Sequence, residues 1–291
     1  MSVDRLFDVK NAFYLGNYQQ CINEAQKSAG SAEEKEARQL FLYRSYIAQN
    51  KPSIVLSEVP EKAPSAALKA VRKLAEYQNP KRKTKILEEV QAEASSAGSL
   101  DDVTAVIYAS ILLNGHLSED AIRVLHGHNS LEAHAAMVQS LLQMDRPDLA
   151  AKELKKMNEV DEDATITQLA TAWVNQALGR DKLKDAFYIY QEMMDKYGAT
   201  PYLLVGQSSA LILQQRYDEA EKLLQEAQSR DPNNAEATIN LIVVSGHTGK
   251  APEVVNRLIA QMKDSHEDHP WTRSFIEKEN LFDKMATEAS A

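Results

Sequence analysis

The chain has 291 residues, is 44% hydrophobic and 26% charged, and carries only 10 Gly and 9 Pro. That composition excludes disorder over most of its length and leaves long stretches free of helix breakers. With 33 basic against 42 acidic residues, a net charge of −9, the surface repels phosphate backbones and anionic lipid, which argues against nucleic acid and direct membrane binding.

Read in chain order, the N-terminus carries Asp4 and Asp8 where a secretory peptide would need apolar residues, and Ser2 where myristoylation needs glycine. Gly16 marks a first turn, with Tyr18 and Cys21 opening the helix after it. Thirty-four residues on, Pro52 and Val55 repeat that spacing behind Asn50. A looser pair follows at 66–78 and 84–94, its second helix preceded by the basic run Lys81, Arg82, Lys83 and Lys85. We read that run as a solvated helix start rather than a nuclear signal. Asp101 is placed to cap the next helix. The apolar stretch Val106–Leu113 is broken by Ser110 and is too short to span a bilayer.

From there a small residue recurs with a large one four positions later: Ala121 with Leu125, Ala150 with Leu154, Ala186 with Tyr190, Ala220 with Leu224, and Val254 with Leu258. Two antiparallel helices approach closely only where a small side chain sits, and a bulky one a turn later fills the adjoining gap. The clearest unit is 201–234, where Ser208 and Leu211 precede Tyr217, Ala220, Leu224 and Ala227, with Pro232 closing it. This is the 34-residue tetratricopeptide pattern. Gly115, Gly179 and Gly249 join Gly16 and Asn50 as expected positive-φ turns, and Asp163 as a second N-cap. After His269-Pro270 a last helix is expected over 271–285, its exposed Glu277, Lys278 and Lys284 forming a polar cap.

The expected fold is all-α. It is a tetratricopeptide-like α-solenoid of about eight helix pairs in one domain over 1–291, with repeats over about 4–268 and a capping helix over about 270–286.

Catalytic and metal chemistry finds little support in the pattern. His126, His128 and His134 form one histidine group, and His266 with His269 another. Neither comes with the convergent partner ligands that zinc needs. Asp161, Glu162 and Asp163 read as a solvated helix start. Cys21, the single cysteine, allows no intramolecular disulfide and occupies a packing slot. No phosphate loop, nucleophile elbow or zinc-protease motif occurs. The expectation is a non-enzyme with no cofactor and no metal, resident in the cytosol, that meets membranes only through partners.

In such arrays the first helix of each pair lines the inner groove. The inward positions are Val103, Val106 and Leu113, then Leu142, then Ile166, Leu169 and Trp173. Val205, Ser209, Ile212 and Leu213 follow, with Ile239 and Val243 last. Chaperone-tail clamps line this groove with Lys, Arg and Asn. An apolar lining instead points to a protein partner that buries hydrophobic surface there.

Longer strings carry a more specific signal. Leu6–Gly16 (LFDVKNAFYLG), Tyr18–Glu24 (YQQCINE), Asp161–Gly179 (DEDATITQLATAWVNQALG), Asn240–Asn256 (NLIVVSGHTGKAPEVVN) and Lys278–Asp283 (KENLFD) closely resemble the coatomer epsilon-subunit family. The likeness runs from about Asp4 to Met285 and is weakest over 57–100. It implies a tetratricopeptide protein curved into a near-closed bracelet that grips the C-terminal domain of the coatomer alpha subunit. Through alpha it would join the COPI coat, peripheral on Golgi membranes and vesicles, in Golgi-to-ER and intra-Golgi transport. The alternative is another cytosolic tetratricopeptide adaptor or chaperone co-factor.

Overall fold

A computed structural model describes residues 5–27, 30–96 and 100–290; Ser2 and Asp4 lie outside them. Among the described residues every regular element is a helix. The first nine are α1 Phe7–Tyr14, α2 Tyr18–Ala25, α3 Ala32–Ala48, α4 Pro52–Glu58, α5 Ala66–Tyr77, α6 Lys83–Ser96, α7 Asp102–Asn114, α8 Ser118–Leu125 and α9 Leu131–Gln143. Then come α10 Pro147–Asp161, α11 Thr165–Leu178, α12 Lys182–Tyr197, α13 Pro201–Leu213, α14 Tyr217–Arg230, α15 Ala235–His247, α16 Pro252–Ser265 and α17 Pro270–Ser290. The chain divides into two compact units, Met1–Ile189 and Tyr190–Ala291.

Local chemistry sets the ends of these helices. Ser31 and Glu34 form a reciprocal capping box at α3, with bonds of 3.2 and 2.9 Å. Asp101 accepts from the backbone and hydroxyl of Thr104, as expected of an N-cap. Ser65, Ser130, Thr200 and Asn234 cap α5, α9, α13 and α15 in the same way. Proline opens α4, α10, α13 and α16, where its missing N–H costs nothing. The Asp163 expectation needs correction. Residue 164 is the cap of α11, and Asp161 accepts the N–H groups of Asp163 and Ala164 at 3.1 Å.

The turns inside most pairs repeat one motif, which the α5–α6 turn lacks. Gly16, Asn50, His116, Asp145, Arg180, Gln215 and Gly249 all have φ between 54 and 75°. In six of these turns the next residue's N–H reaches back five positions, as in Lys51 to Tyr46, Leu117 to Leu112 and Arg216 to Leu211, each at 2.9 Å. This is a Schellman closure, which demands a left-handed residue at its penultimate position. Gly115 is a second correction: its φ is −88° and His116 takes the left-handed role. A Cβ at 115 would sit 2.6 Å from a methyl of Leu87, so a side chain there would make that leucine shift.

Packing follows the repeat register. Ala121, Ala150, Ala186 and Ala220 are completely buried, and Leu125, Leu154, Tyr190 and Leu224 are buried one turn later. Cys21 and Val55 fill the corresponding slots at the N-terminus, also without exposure. In the second unit Gly206 lets α13 approach α12, because a Cβ at 206 would lie 2.6 Å from the Tyr190 ring. The core of the first unit is layered between successive pairs, with Ile86, Val90, Ile107, Ile111, Leu112 and Leu125 in one continuous cluster. The final helix departs from the polar cap expected of it. Glu277, Lys278 and Lys284 are exposed, but so are Leu281, Phe282 and Met285 beside them.

Candidate functional site

Each first helix meets its pair partner on one side and a neighbouring repeat on another, so its apolar residues divide between core and face. Burial sorts the predicted inner positions accordingly. Val106, Ile166, Leu169 and Ile239 are core residues with less than a tenth of their surface exposed. For these four the expected groove position is corrected: they hold repeats together. Val103, Leu113, Leu142, Trp173, Val205, Ser209 and Ile212 are half-buried, while Leu213 and Val243 are exposed.

In the first unit, Leu142 and Trp173 pack against the buried cluster that holds Leu141, Leu154 and Val174, while Val103 and Leu113 fall in two other places. Val103 joins the N-terminal helix in a cavity of about 440 Å³, lined also by Phe7, Tyr14, Leu131 and the edges of Val106 and Ile166. Polar groups stand round it: Asn11 accepts from the Thr165 hydroxyl at 2.6 Å, and His128 bonds Asp102 at 2.6 Å. That bond from His128 is the main reason the Asp102 carboxyl titrates below the usual range. Leu113 lies in a shallow groove with Ser110, Asn114, Gln139 and Gln143, so the face of α7 and α9 is more polar there than the apolar list alone implied.

In the second unit, Val205, Ser209 and Leu213 recur every fourth residue along α13, with exposed Tyr202 one turn before them. The Ser209 hydroxyl donates to the Val205 carbonyl of its own helix at 2.9 Å, which removes it as a free recognition group. Val243 extends an apolar surface on α15. Tyr202 was absent from the predicted positions, although its place one turn before Val205 could have marked it.

Three of the histidines meet three different carboxylates. His128 meets Asp102, and buried His134 meets Glu153 at 2.5 Å. His269 lies 3.3 Å from Glu236. Among the described residues no three His, Cys, Asp or Glu side chains converge as metal ligands would. Cys21 is enclosed, its sulfur 4.0 Å from the Phe41 carbonyl, and desolvation pushes its thiol pKa up, away from reactivity. Among the described residues no helix is long and apolar enough to cross a membrane.

Sequence reasoning missed a cluster that ties the start of the first unit to its later helices. Arg44 of α3 pairs with Glu132 of α9 at 2.5 Å, both largely buried. Its guanidinium also lies over the rings of Phe13 and Phe41, at 4.5 and 5.1 Å.

The family model described as "Coatomer epsilon subunit" matches residues 2–290. The chain is 46% identical to the coatomer subunit epsilon of Caenorhabditis elegans over 99% of both chains. It is 34% identical to coatomer subunit epsilon-1 of Oryza sativa subsp. japonica over 97% of each. Among solved structures, one from the APC/C hetero-tetramer Cut9-Hcn1 aligns with a TM-score of 0.62 at 10% identity. The alignment covers 94% of this chain and 55% of that one, a likeness of fold alone.

Proposed function

The chain belongs to the coatomer epsilon-subunit family, which makes it a non-enzymatic structural subunit of the COPI coat that associates with the rest of coatomer; from that premise we propose that its direct partner is the C-terminal domain of the alpha subunit, bound on the first-helix face. The observation that carries this reading is the stripe of exposed Tyr202 and Leu213 with half-buried Val205 on α13, beside exposed Val243 on α15. Apolar residues aligned at helical spacing on adjacent first helices suit a partner that buries hydrophobic surface over several repeats. In this reading the protein is cytosolic and peripheral on Golgi membranes and COPI vesicles through alpha. There it supports return traffic to the endoplasmic reticulum and movement between cisternae.

Leu169 cannot probe this face, because a charge at a core position would unfold the repeat. Leu213→Asp with Val243→Asp tests it instead, since both side chains are exposed in the free chain. An unpaired carboxylate buried against an apolar partner costs several kcal/mol, enough to weaken binding by roughly a thousandfold. The expected result is lost co-purification with the alpha domain at unchanged helicity and melting. A second reading places the partner on α17, where Phe282 is 71% exposed with Leu281 and Met285 beside it. Retained binding in the first variant together with loss in Leu281→Asp/Phe282→Asp would establish that reading instead.

A further inference from the structure

Charge is distributed unevenly along this acidic chain. Residues 61–85 hold eight basic and two acidic side chains, in a chain of net charge −9. The run Lys81–Arg82–Lys83 with Lys85 stands at the start of α6, where the backbone dipole favours acidic residues. The first turn of that helix has none. Part of this charge is used locally, since Lys85 pairs with Glu89 one turn on, Arg82 pairs with Glu76, and Lys83 lies over the Tyr77 ring.

The fold gathers part of this charge around a cavity of about 820 Å³ formed by α5, α6, α7 and the segment before α5. The acids in its walls are already engaged. Glu76 pairs with Arg72 at 3.0 Å and Arg82 at 3.1 Å, and Glu93 pairs with Lys73 while accepting from the Tyr108 hydroxyl. Arg72 is held further by the Leu56 and Val59 carbonyls, which fix its guanidinium in place. Lys62 and Lys69 line the same cavity, are exposed, and make no ion pair among the described residues. The cavity thus keeps an unneutralised positive charge on a prepared scaffold.

We propose that this cavity is a docking site for an acidic segment of another polypeptide, whose carboxylates pair with Lys62 and Lys69. The lining selects this occupant over a compact polyphosphate. Glu61, Glu76 and Glu93 remain in the walls and would repel a dense cluster of charge, while Ala63, Ala66 and Leu100 offer apolar surface to the chain between spaced carboxylates. This site is separate from the first-helix stripe of the second unit and does not depend on what covers it.

The test uses the full chain and a fluorescein-labelled oligoglutamate peptide, followed by fluorescence anisotropy at low and moderate salt. Binding is expected to weaken as salt rises and to fall roughly tenfold or more in Lys62→Glu/Lys69→Glu, since charge reversal turns two attractions into repulsions. Lys152→Glu/Lys155→Glu, which reverses two exposed lysines of α10, is expected to leave it unchanged. Circular dichroism should be the same for all three proteins. Equal loss in both double variants, absence of peptide binding at low salt, or binding of inorganic pyrophosphate in place of the peptide would each overturn the proposal.

Discussion

The two units are built from the same repeat but are tied together differently. In the first, polar links join helices far apart in the chain: Asn11 to Thr165, 154 residues on, and Arg44 to Glu132, 88 residues on. In the second, such links run from one repeat to the next, as from Arg230 to the Ala199 carbonyl and from His269 to Glu236. A neighbour-only array is quasi-one-dimensional and can open from an end. Long-range ties instead couple the early helices to the later ones, so that the first unit should open as a block. The same local packing should therefore give different cooperativity once a few distant polar pairs are added.

Removing the strongest tie should break the contrast most visibly. Arg44→Ala leaves Glu132 unpaired in a largely buried setting and strips a cation from two aromatic faces, at a cost of about 3 kcal/mol. Hydrogen exchange should rise together in α1, α2 and α3 and leave α13–α16 as they were. The matching change in the second unit is Arg230→Ala, whose side chain is 45% exposed in its pair with Glu226; it should cost less than about 1 kcal/mol. Equal losses in urea unfolding would show that the distant tie adds nothing.

The next test concerns the packing that both units share. Ala220 is completely buried at the crossing of α13 and α14, so Ala220→Leu should overpack it and cost about 1–3 kcal/mol. Val254 holds the same repeat slot in the following pair but is only half-buried. Val254→Leu should therefore cost under about 1 kcal/mol. Because the second unit relies on neighbours, exchange should accelerate in α13–α15 without reaching α1–α3. An unchanged urea midpoint for Ala220→Leu would place the crossing elsewhere.

Much of this architecture is legible in the sequence because a helix crossing has a hard steric requirement. The slots at Ala121, Ala150, Ala186 and Ala220 must be small, and they recur once per helix pair, with 34 residues between Ala186 and Ala220. The face was harder to read for a specific reason. Helices such as α7 and α13 carry apolar residues nearly all round, so periodicity cannot say which side meets a neighbour. Leu169 and Leu213 look alike in sequence, yet one is core and the other exposed. Arg44 and Glu132 carry no local signal, since only the completed fold brings them together. The left-handed turn residue was misplaced at Gly115 because a Schellman closure can force an ordinary residue into that conformation at modest cost.

That modest cost supplies the smallest test, applied to the same turn in both units. Gln215 holds φ at 61° in the second unit and Asn50 holds 58° in the first. Each is followed by the same five-residue backbone closure, Arg216 to Leu211 and Lys51 to Tyr46, both 2.9 Å. A non-glycine residue pays roughly 1–2 kcal/mol for the left-handed region, whereas glycine pays about 0.5–1 kcal/mol in extra unfolded-state freedom. Gln215→Gly should therefore stabilise the protein by about 0.5 kcal/mol. Asparagine tolerates this conformation better than glutamine, because its short side chain bonds locally. Asn50→Gly should accordingly sit near zero. Urea midpoints of the two variants measure the difference directly. A gain at 215 with none at 50 would mean that the turns are equivalent in geometry and differ only in which residue bears the strain. A loss at 215 would mean instead that the glutamine side chain makes a contribution larger than the backbone cost it carries.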